Sequence, residues 1–268
     1  MNTIQEPTVS SLFNLSGKRT LITGASGYLG SAMARALAEA GAVVVTASRD
    51  VERARQSASS LPAVSSGAHV GIELNQLDVA SLEAGFQDAI DQVGGIDIVV
   101  NNGQSGPPND LTDVTPQQFQ QQLANAAGYF HLARLLRNHV VERQAAGAVI
   151  MIGSMYGVVG SYPDAYKSIC SASPVAYHAL KGGVIHMTRH LAVYWAPDKV
   201  RVNCLSPGAF PNPAKVPAGL EDRLIEKCPQ HRMGQPHELK GAVVFLASEA
   251  SSYMTGQNLI IDGGWTAW

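Results

Sequence analysis

The sequence contains little cysteine, few aromatic residues and little charge. Among its 268 residues there are 3 cysteines, and aromatic and charged residues make up 6% and 15% of the chain. An odd number of cysteines without CxxC spacing argues against a disulfide framework and against a zinc site. The net charge of −2 gives no sign of the concentrated basic face that nucleic acids require. We therefore expect neither a metal nor a nucleic-acid partner.

Long apolar runs are missing as well. The N-terminal residues lack the apolar segment of a signal peptide, and no stretch approaches the ~20 apolar residues that cross a bilayer. We therefore expect a cytoplasmic protein without a membrane partner. Hydrophobic residues nevertheless make up 46% of the chain, which is typical of a folded protein with a large core.

Short β-branched runs alternate with helical patterns along most of the chain. The predicted strands are 19–23, 43–47, 69–74, 97–101, 148–152, 200–204 and 258–261. The predicted helices lie near 28–40, 51–60, 80–93, 116–144, 175–196 and 236–249. Such alternation indicates parallel strands joined by right-handed crossovers. The sequence thus predicts an α/β fold with a Rossmann-like, doubly wound parallel sheet of about seven strands, as a single domain over residues 1–268.

Three segments do not follow this alternation. Residues 1–14 are predicted as a polar N-terminal tail. Residues 155–174 and 207–228 are predicted as loops on the substrate side, because long irregular segments in a compact domain are usually functional. Trp265 and Trp268 are consistent with a C-terminus that is buried or lies in an interface.

A glycine-rich segment, TGASGYLG, connects the first predicted strand to the first predicted helix. Glycines allow the backbone to turn tightly and to approach an anion, and the helix N-terminus supplies free N–H donors. We interpret the segment as the binding loop for a dinucleotide pyrophosphate. Its predicted contacts are Gly24, Ser26, Gly27, Tyr28, Leu29 and Gly30.

The end of the second predicted strand bears on cofactor choice. In NAD-selective sites an acidic residue binds the ribose 2′-hydroxyl near this point, whereas an arginine accommodates a 2′-phosphate. Here Ser48 takes the acidic position and Arg49 follows it, with Asp50 close by. The sequence therefore favours NADP(H), with NAD(H) as the alternative.

A phenol and an ammonium are spaced to meet on one helix. Among 8 tyrosines only Tyr177 is followed by a lysine, Lys181, four residues later, so the two side chains share a helix face. A neighbouring cation favours the phenolate, and we expect Lys181 to lower the pKa of Tyr177 towards its working range. The pair predicts general acid–base chemistry.

Taken together, the motifs resemble those of the short-chain dehydrogenase/reductase family, in its compact single-domain branch, from Leu15 to the C-terminus. The matching pieces, in the family's order, are TGASGYLG, LDV at 77–79, Asn101-Asn102-Gly103, Asn125 in NAAGYF, Ser154, YHALK, RVNCLSPG and FLASEASSYMTGQNLIIDGG. The resemblance implies an oxidoreductase that acts on an alcohol or a carbonyl with a nicotinamide cofactor.

The resemblance also implies catalytic roles. Tyr177 would be the general acid in carbonyl reduction and the base in alcohol oxidation, and Lys181 would hold the nicotinamide ribose. Ser154 would form a hydrogen bond with the substrate oxygen. Asn125 would hold a water in the proton relay.

Further cofactor contacts follow from the same resemblance. Asp78 and Val79 would contact the adenine, and Asn101 would lie behind the cofactor, next to Asn102 and Gly103. Pro207 and Gly208 would line the nicotinamide. Tyr177 and Lys181 complete the predicted cofactor site.

The sequence departs from the family's pattern in four places. The phosphate loop reads TGxxGxxG, with Tyr28 in place of a glycine, and NNAG is replaced by NNGQ at 101–104. The usual threonine soon after Pro207-Gly208 is absent. Tyr177 follows Ser154 by 23 residues, a longer interval than is usual, which is why Ser161, Ser171 and Ser173 are alternatives for the catalytic serine. We favour Ser154 because it directly follows a predicted strand.

Three functions are compatible with these features. The first is NAD(P)(H)-dependent hydride transfer between nicotinamide and a secondary alcohol or ketone, with a sugar or sugar acid as substrate. The second is a 3-oxoacyl thioester reductase, which an apolar cleft would favour. The third is a dinucleotide-sensing binding protein without turnover, which would not need the Tyr177–Lys181 pair. The resemblance further implies a homodimer or homotetramer formed through the helices near 116–144 and 175–196.

Overall fold

The computed structural model describes residues 6–106 and 111–267, which share one parallel sheet of seven strands in the order β3-β2-β1-β4-β5-β6-β7. The strands are β1 (Arg19–Thr23), β2 (Val43–Ser48), β3 (Val70–Glu73), β4 (Ile98–Asn101), β5 (Gly147–Ile152), β6 (Val200–Pro207) and β7 (Asn258–Ile261). The predicted strands are confirmed at all seven places, and β6 extends to Pro207. The predicted α/β doubly wound fold is confirmed.

Nine α-helices are found in the described ranges. They are α1 (Val9–Leu12), α2 (Tyr28–Glu39), α3 (Val51–Ser59), α4 (Val79–Val93), α5 (Pro116–Glu142), α6 (Pro163–Tyr166), α7 (Val175–Trp195), α8 (Leu220–Lys227) and α9 (Lys240–Ala247). In these ranges no helix is long and apolar enough to cross a membrane.

Apolar layers cover both faces of the sheet. On one face, residues such as Phe86, Leu136 and Val184 of α4, α5 and α7 pack against the strands. On the other face, α2 and α9 contribute residues such as Met33 and Val243. Because each fully buried aliphatic side chain stabilises the fold by roughly 1.5–3 kcal/mol, these layers hold the strands rigidly.

The strand order reverses beside β1, which pairs in parallel with β2 on one side and with β4 on the other. The connections that leave β1 and β4 therefore diverge, and a crevice opens at the carboxyl ends of these strands. The phosphate loop and the segment after β4 both lie at this edge.

All three predicted irregular segments contain helices, including α6 within residues 155–174, which corrects the sequence-based expectation. Residues 207–228 include α8, whose Leu220 and Leu224 are buried one turn apart. The predicted polar tail contains α1, which Thr8 caps by accepting a hydrogen bond from the N–H of Ser11. α8 is short and amphipathic, so it forms only where a neighbouring surface buries its apolar residues. No residue of α1 is buried. Residues 1–5 of the tail, and Trp268, lie outside the described residues.

A third apolar cluster joins the segments that depart from the alternating pattern. Met155 and Ala165 from the 155–174 insertion pack with Leu220 and Leu224 of α8 and with Trp265. The insertion contains a 3₁₀ turn (Met155–Gly157) and α6. We call this unit, residues 155–174 together with α8 and Trp265, the cap. Trp265 is buried within it, as the sequence allowed.

Candidate active site

The phosphate loop is folded as a turn that leaves a helix N-terminus open. Gly24 has a φ of +66°, which favours glycine, and a Cβ at Gly30 would clash with the carbonyl oxygen of Gly24. Gly27 is the N-cap of α2 and supplies no side chain to cap it. The first N–H groups of α2 are therefore free to bind an anion.

A cleft of about 690 Å³ lies above this helix N-terminus at the carboxyl edge of the sheet. Ten of the residues predicted to bind the cofactor line it: Gly24, Ser26, Gly27, Tyr28, Leu29, Gly30, Ser48, Arg49, Asn102 and Gly103. The walls also include residues that sequence reasoning missed: Arg53, Leu74, Asn75, Gln76, Leu77, Gln104, Ser105, Phe210, Asn212 and Lys215. Another cavity, of about 470 Å³, opens at the amino ends of the strands and contains none of the predicted site residues.

The two residues predicted to contact the adenine stand at the start of α4. Asp78 is the N-cap of α4, where its Oδ1 accepts a hydrogen bond of 2.8 Å from the N–H of Ser81. Val79 is exposed. The wall after β3 is built instead from Leu74 to Leu77. The contact of Asp78 and Val79 with an adenine stays a prediction.

Asn102 and Gly103 are tied to the phosphate loop. The hydroxyl oxygen of Thr23 accepts hydrogen bonds from the N–H groups of Asn102 (3.0 Å) and Gly103 (2.8 Å). The Nδ2 of Asn102 donates to the carbonyl oxygens of Thr23 and Gly24. These bonds join the ends of β1 and β4 into one surface of the cleft.

The remaining predicted cofactor residues lie outside the wall of this cleft. Asn101 is buried behind it, where its Nδ2 donates to the carbonyl oxygen of Tyr129 (3.0 Å). Pro207 ends β6, and Gly208 follows with its N–H bonded to the carbonyl oxygen of Ile261. The contact of Pro207 and Gly208 with a nicotinamide stays a prediction.

The residues present fit a dinucleotide. The open N-terminus of α2 suits a pyrophosphate, and the Oε1 of Gln76 is a buried acceptor without a partner among the described residues. A buried acceptor of this kind is costly unless something donates to it. In the described ranges no group of three or more His, Cys, Asp or Glu side chains could hold a metal ion.

Ser154 and Tyr177 meet beside the end of β5. Ser154 lies two residues after the end of β5, where it is the N-cap of the 3₁₀ turn, and it is buried. Tyr177 lies in the first turn of α7 and forms a side-chain hydrogen bond with Ser154. The 155–174 insertion therefore does not move Tyr177 away from Ser154, because the additional residues fold into the cap.

The pKa of Tyr177 is raised, contrary to the expectation from the Lys181 spacing. Burial is the main cause, the hydrogen bond with Ser154 lowers the pKa, and the nearby Tyr166 raises it. The ammonium of Lys181 is 5.6 Å from the ring centre of Tyr177, too far to outweigh the loss of hydration. Tyr177 is therefore a neutral phenol at pH 7.

Lys181 is a buried cation, only 2% exposed. Its Nζ donates a 2.7 Å hydrogen bond to the carbonyl oxygen of Ile152 and lies 5.6 Å from the ring centres of both Tyr129 and Tyr177. Burial lowers the pKa of Lys181 to about 8, while the nearby Cys204 raises it. An ammonium has three donors, so two remain for other partners.

Asn125 lies buried in the middle of α5, and its side-chain amide is fully used. Its Oδ1 accepts from Gln76 (2.7 Å) and from the N–H of Ser105 (3.2 Å), and its Nδ2 donates to the carbonyl oxygens of Ser105 (2.7 Å) and Gln122 (2.8 Å). The amide has no capacity left for a water. The role of Asn125 in the proton relay stays a prediction, and in this arrangement its side-chain amide would not be the group that holds the water.

The cap supplies a polar wall next to Tyr177. The hydroxyls of Tyr156 and Tyr166 are 2.7 Å apart, and the Tyr156 ring stacks on His178 at 4.7 Å. The position of His178 next to Tyr177 is the only signal for this contact in the sequence.

Comparison with known proteins places this site in a family. The family model described as "Enoyl-(Acyl carrier protein) reductase" matches residues 24–266. The D-arabinitol 2-dehydrogenase [ribulose-forming] of Candida albicans (strain WO-1) is 32% identical over 275 residues, which cover 96% of this chain and 95% of that protein.

Two solved structures extend the likeness to the fold. A short-chain type dehydrogenase/reductase from Mycobacterium marinum has a TM-score of 0.87 and 33% identity, covering 98% of this chain and 100% of that one. A gluconate 5-dehydrogenase from Burkholderia cenocepacia J2315, in complex with NADP and tartrate, has a TM-score of 0.85 and 30% identity, covering 97% and 100%. The chain thus belongs to the short-chain dehydrogenase/reductase family of oxidoreductases, as its motifs indicated.

Proposed function

We propose that the protein is an NADP(H)-dependent enzyme that interconverts a secondary alcohol and a ketone on a polyhydroxylated, sugar-like substrate. The observation that carries this proposal is the contact of Ser154 with Tyr177 beside buried Lys181, at the edge of the sheet where the phosphate loop opens. The names of the D-arabinitol and gluconate dehydrogenases support the substrate class.

Each side chain has a distinct task in this proposal. When the ketone is reduced, its carbon gains a hydride and its oxygen gains a proton; the bound nicotinamide cofactor supplies the hydride. The hydroxyl of Ser154 donates a hydrogen bond to the carbonyl oxygen, and Tyr177 delivers the proton. The free donors of Lys181 hold the cofactor's ribose hydroxyls.

The raised pKa of Tyr177 suits the reducing direction at neutral pH. A general acid must carry its proton when the substrate binds, and burial keeps the phenol protonated. Alcohol oxidation requires the phenolate, so its rate should increase as the pH rises.

Charges at the end of β2 support a preference for NADP(H). Asp50, the acidic residue nearest this point, is the N-cap of α3 and accepts a hydrogen bond from the N–H of Arg53 (3.1 Å). The cleft wall contains Ser48, Arg49 and Arg53. Guanidinium groups bind phosphate oxygens well, and they suit the 2′-phosphate.

Titration of the protein with NADPH and NADH tests the cofactor preference. We expect tighter binding of NADPH, and Arg49→Gln should weaken NADPH binding by about tenfold or more while NADH binding changes little. Equal or tighter binding of NADH by the wild type would contradict the preference.

A spectrophotometric assay at 340 nm tests the reaction. We expect NADPH oxidation with ketoses or keto-aldonates. Turnover of acetoacetyl thioesters in preference to these compounds would favour the 3-oxoacyl thioester reductase. Tight NADPH binding without oxidation by any ketone would favour the sensing function.

We also propose self-association as a homodimer or homotetramer in the cytoplasm. Val193 and Tyr194 at the end of α7 are 73% and 67% exposed, and a contact between copies would cover them. Light scattering on the purified protein measures the mass in solution, and a monomer would contradict this proposal.

A further inference from the structure

Tyr156 is held in a fixed position relative to the catalytic serine. The Oγ of Ser154 accepts a 3.1 Å hydrogen bond from the N–H of Tyr156, because Ser154 is the N-cap of the 3₁₀ turn. Only one residue separates the two, so the Tyr156 ring begins close to the point where the substrate oxygen would bind.

The hydroxyls of Tyr156 and Tyr166 form a hydrogen-bonded pair that has one proton left to donate. They are 2.7 Å apart, so one hydroxyl donates to the other. Two hydroxyls carry two protons, and the second proton is free to donate to a ligand. Burial raises the pKa of both tyrosines, and both therefore stay protonated at neutral pH.

His178 supports this pair from α7. Its ring stacks on Tyr156 at 4.7 Å with an interplanar angle of 21°, and its Nε2 lies 3.1 Å from the Oγ of Ser173. Burial lowers the pKa of His178, so the ring is neutral at pH 7. His178 directly follows Tyr177, and the centres of the two rings lie 6.4 Å apart, which brings the tyrosine pair near the proton donor.

Contacts with α8 anchor Tyr166 where it meets Tyr156. Arg223 donates to the carbonyl oxygens of Asp164 (3.0 Å) and Lys167 (2.6 Å), on both sides of Tyr166. Lys227 forms an ion pair with Asp164 at 2.5 Å. The cations of α8 that face the insertion are thus bonded to the protein, and the wall offers hydroxyl groups instead.

From this geometry we propose that the Tyr156–Tyr166 pair is a substrate subsite. It binds a hydroxyl group on a carbon other than the one that is oxidised or reduced, and it selects neutral polyhydroxylated substrates over anionic ones and over simple ketones. The subsite deepens the proposed function and rests on it.

The experiment compares substrates with and without neighbouring hydroxyls. Wild type, Tyr156→Phe and Tyr166→Phe are assayed with NADPH and three probes: fructose, 5-ketogluconate and cyclohexanone. Loss of one neutral hydrogen bond should raise the KM for fructose about three- to tenfold. The kcat/KM for cyclohexanone should stay within about twofold, because this ketone has no second hydroxyl to bind.

Tyr162→Phe is the matched control. Tyr162 belongs to the same insertion, but its ring packs on Trp265 at 5.5 Å and under the ammonium of Lys227 at 5.2 Å. The Tyr162→Phe variant should show wild-type KM and kcat/KM values with all three probes. It separates a loss of substrate binding from a loosened cap.

The possible outcomes distinguish a failure of the subsite proposal from a failure of the proposed function. An unchanged KM for fructose in both variants, or equal losses with fructose and cyclohexanone, would overturn the subsite and keep the reaction. If the wild type prefers 5-ketogluconate to fructose, the proposed selection of neutral over anionic substrates is overturned. A wild type that reduces none of the three probes would overturn the proposed function itself, and the subsite with it.

Discussion

The side-chain amide of Gln76 donates a 2.7 Å hydrogen bond to the Oδ1 of Asn125, which connects the loop after β3 to the middle of α5. This bond holds Gln76 next to a departure in the sequence. A Cβ at position 103 would lie 2.9 Å from the Oε1 of Gln76 and 3.2 Å from the side chain of Thr23. The NNGQ segment carries Gly103 at this crowded position, where the family has alanine.

The contact between Gln76 and position 103 predicts that their substitutions are coupled. Gly103→Ala alone should push Gln76 away from Asn125 and weaken NADPH binding. In a Gln76→Val background, Gly103→Ala should weaken NADPH binding less, with a coupling free energy of about 1 kcal/mol between the two substitutions. NADPH titrations of the four proteins measure the cycle, and additive effects would contradict the contact.

Removal of the Ser154 hydroxyl should affect both the rate and its pH dependence. Ser154→Ala loses a hydrogen-bond donor to the reacting oxygen, and kcat should fall by about 10². The hydrogen bond with Ser154 also lowers the pKa of Tyr177, so the midpoint of the pH–rate profile for oxidation should move upward. Ser161→Ala is the control and should retain wild-type turnover. Near-normal activity of Ser154→Ala would assign the role to another serine.

Lys181 should make stability depend on pH in the alkaline range. Burial lowers its pKa to about 8, compared with 10.5 in the unfolded chain. Between these values the unfolded state binds more protons than the folded state, so the free energy of unfolding rises with pH. Below pH 8 both states are protonated, and the contribution is constant.

Urea unfolding at pH 7 and at pH 9.5 isolates this contribution. From pH 7 to pH 9.5, the unfolding free energy of the wild type should rise by about 2 kcal/mol relative to that of Lys181→Met. Subtracting the variant removes the titration of the other tyrosines and cysteines. A difference that stays flat would show that Lys181 titrates normally.

The hydroxyl of Tyr129 should be dispensable for stability. It is buried and has no hydrogen-bond partner among the described residues. Tyr129→Phe keeps the ring near Lys181 and removes a desolvated hydroxyl, so the protein should gain about 1 kcal/mol of stability. The exposed Tyr253 provides the control, and Tyr253→Phe should change nothing. A loss of stability in Tyr129→Phe would indicate that a bound water satisfies this hydroxyl.

Much of the fold could be read from the sequence because its signals are local. The apolar runs of β1, β4 and β5 are recognisable from composition alone, and the phosphate loop is a contiguous motif at a strand–helix junction. The spacing of Tyr177 and Lys181 brings the two side chains to one helix face whatever surrounds the helix. The helix α8 was missed because its eight residues form a helix only when Leu220 and Leu224 find a partner surface.

What the sequence determined by itself is therefore the alternating α/β architecture, the phosphate loop and the Tyr177–Lys181 pair. The tertiary structure decided the sign of the Tyr177 pKa shift, the bond between Gln76 and Asn125, and the pairing of Tyr156 with Tyr166. The physical reason is that burial and contacts between distant segments set these properties. Gln76 and Asn125 are 49 residues apart, and no spacing rule connects them. Burial outweighs the effect of Lys181 only because packing removes water from Tyr177.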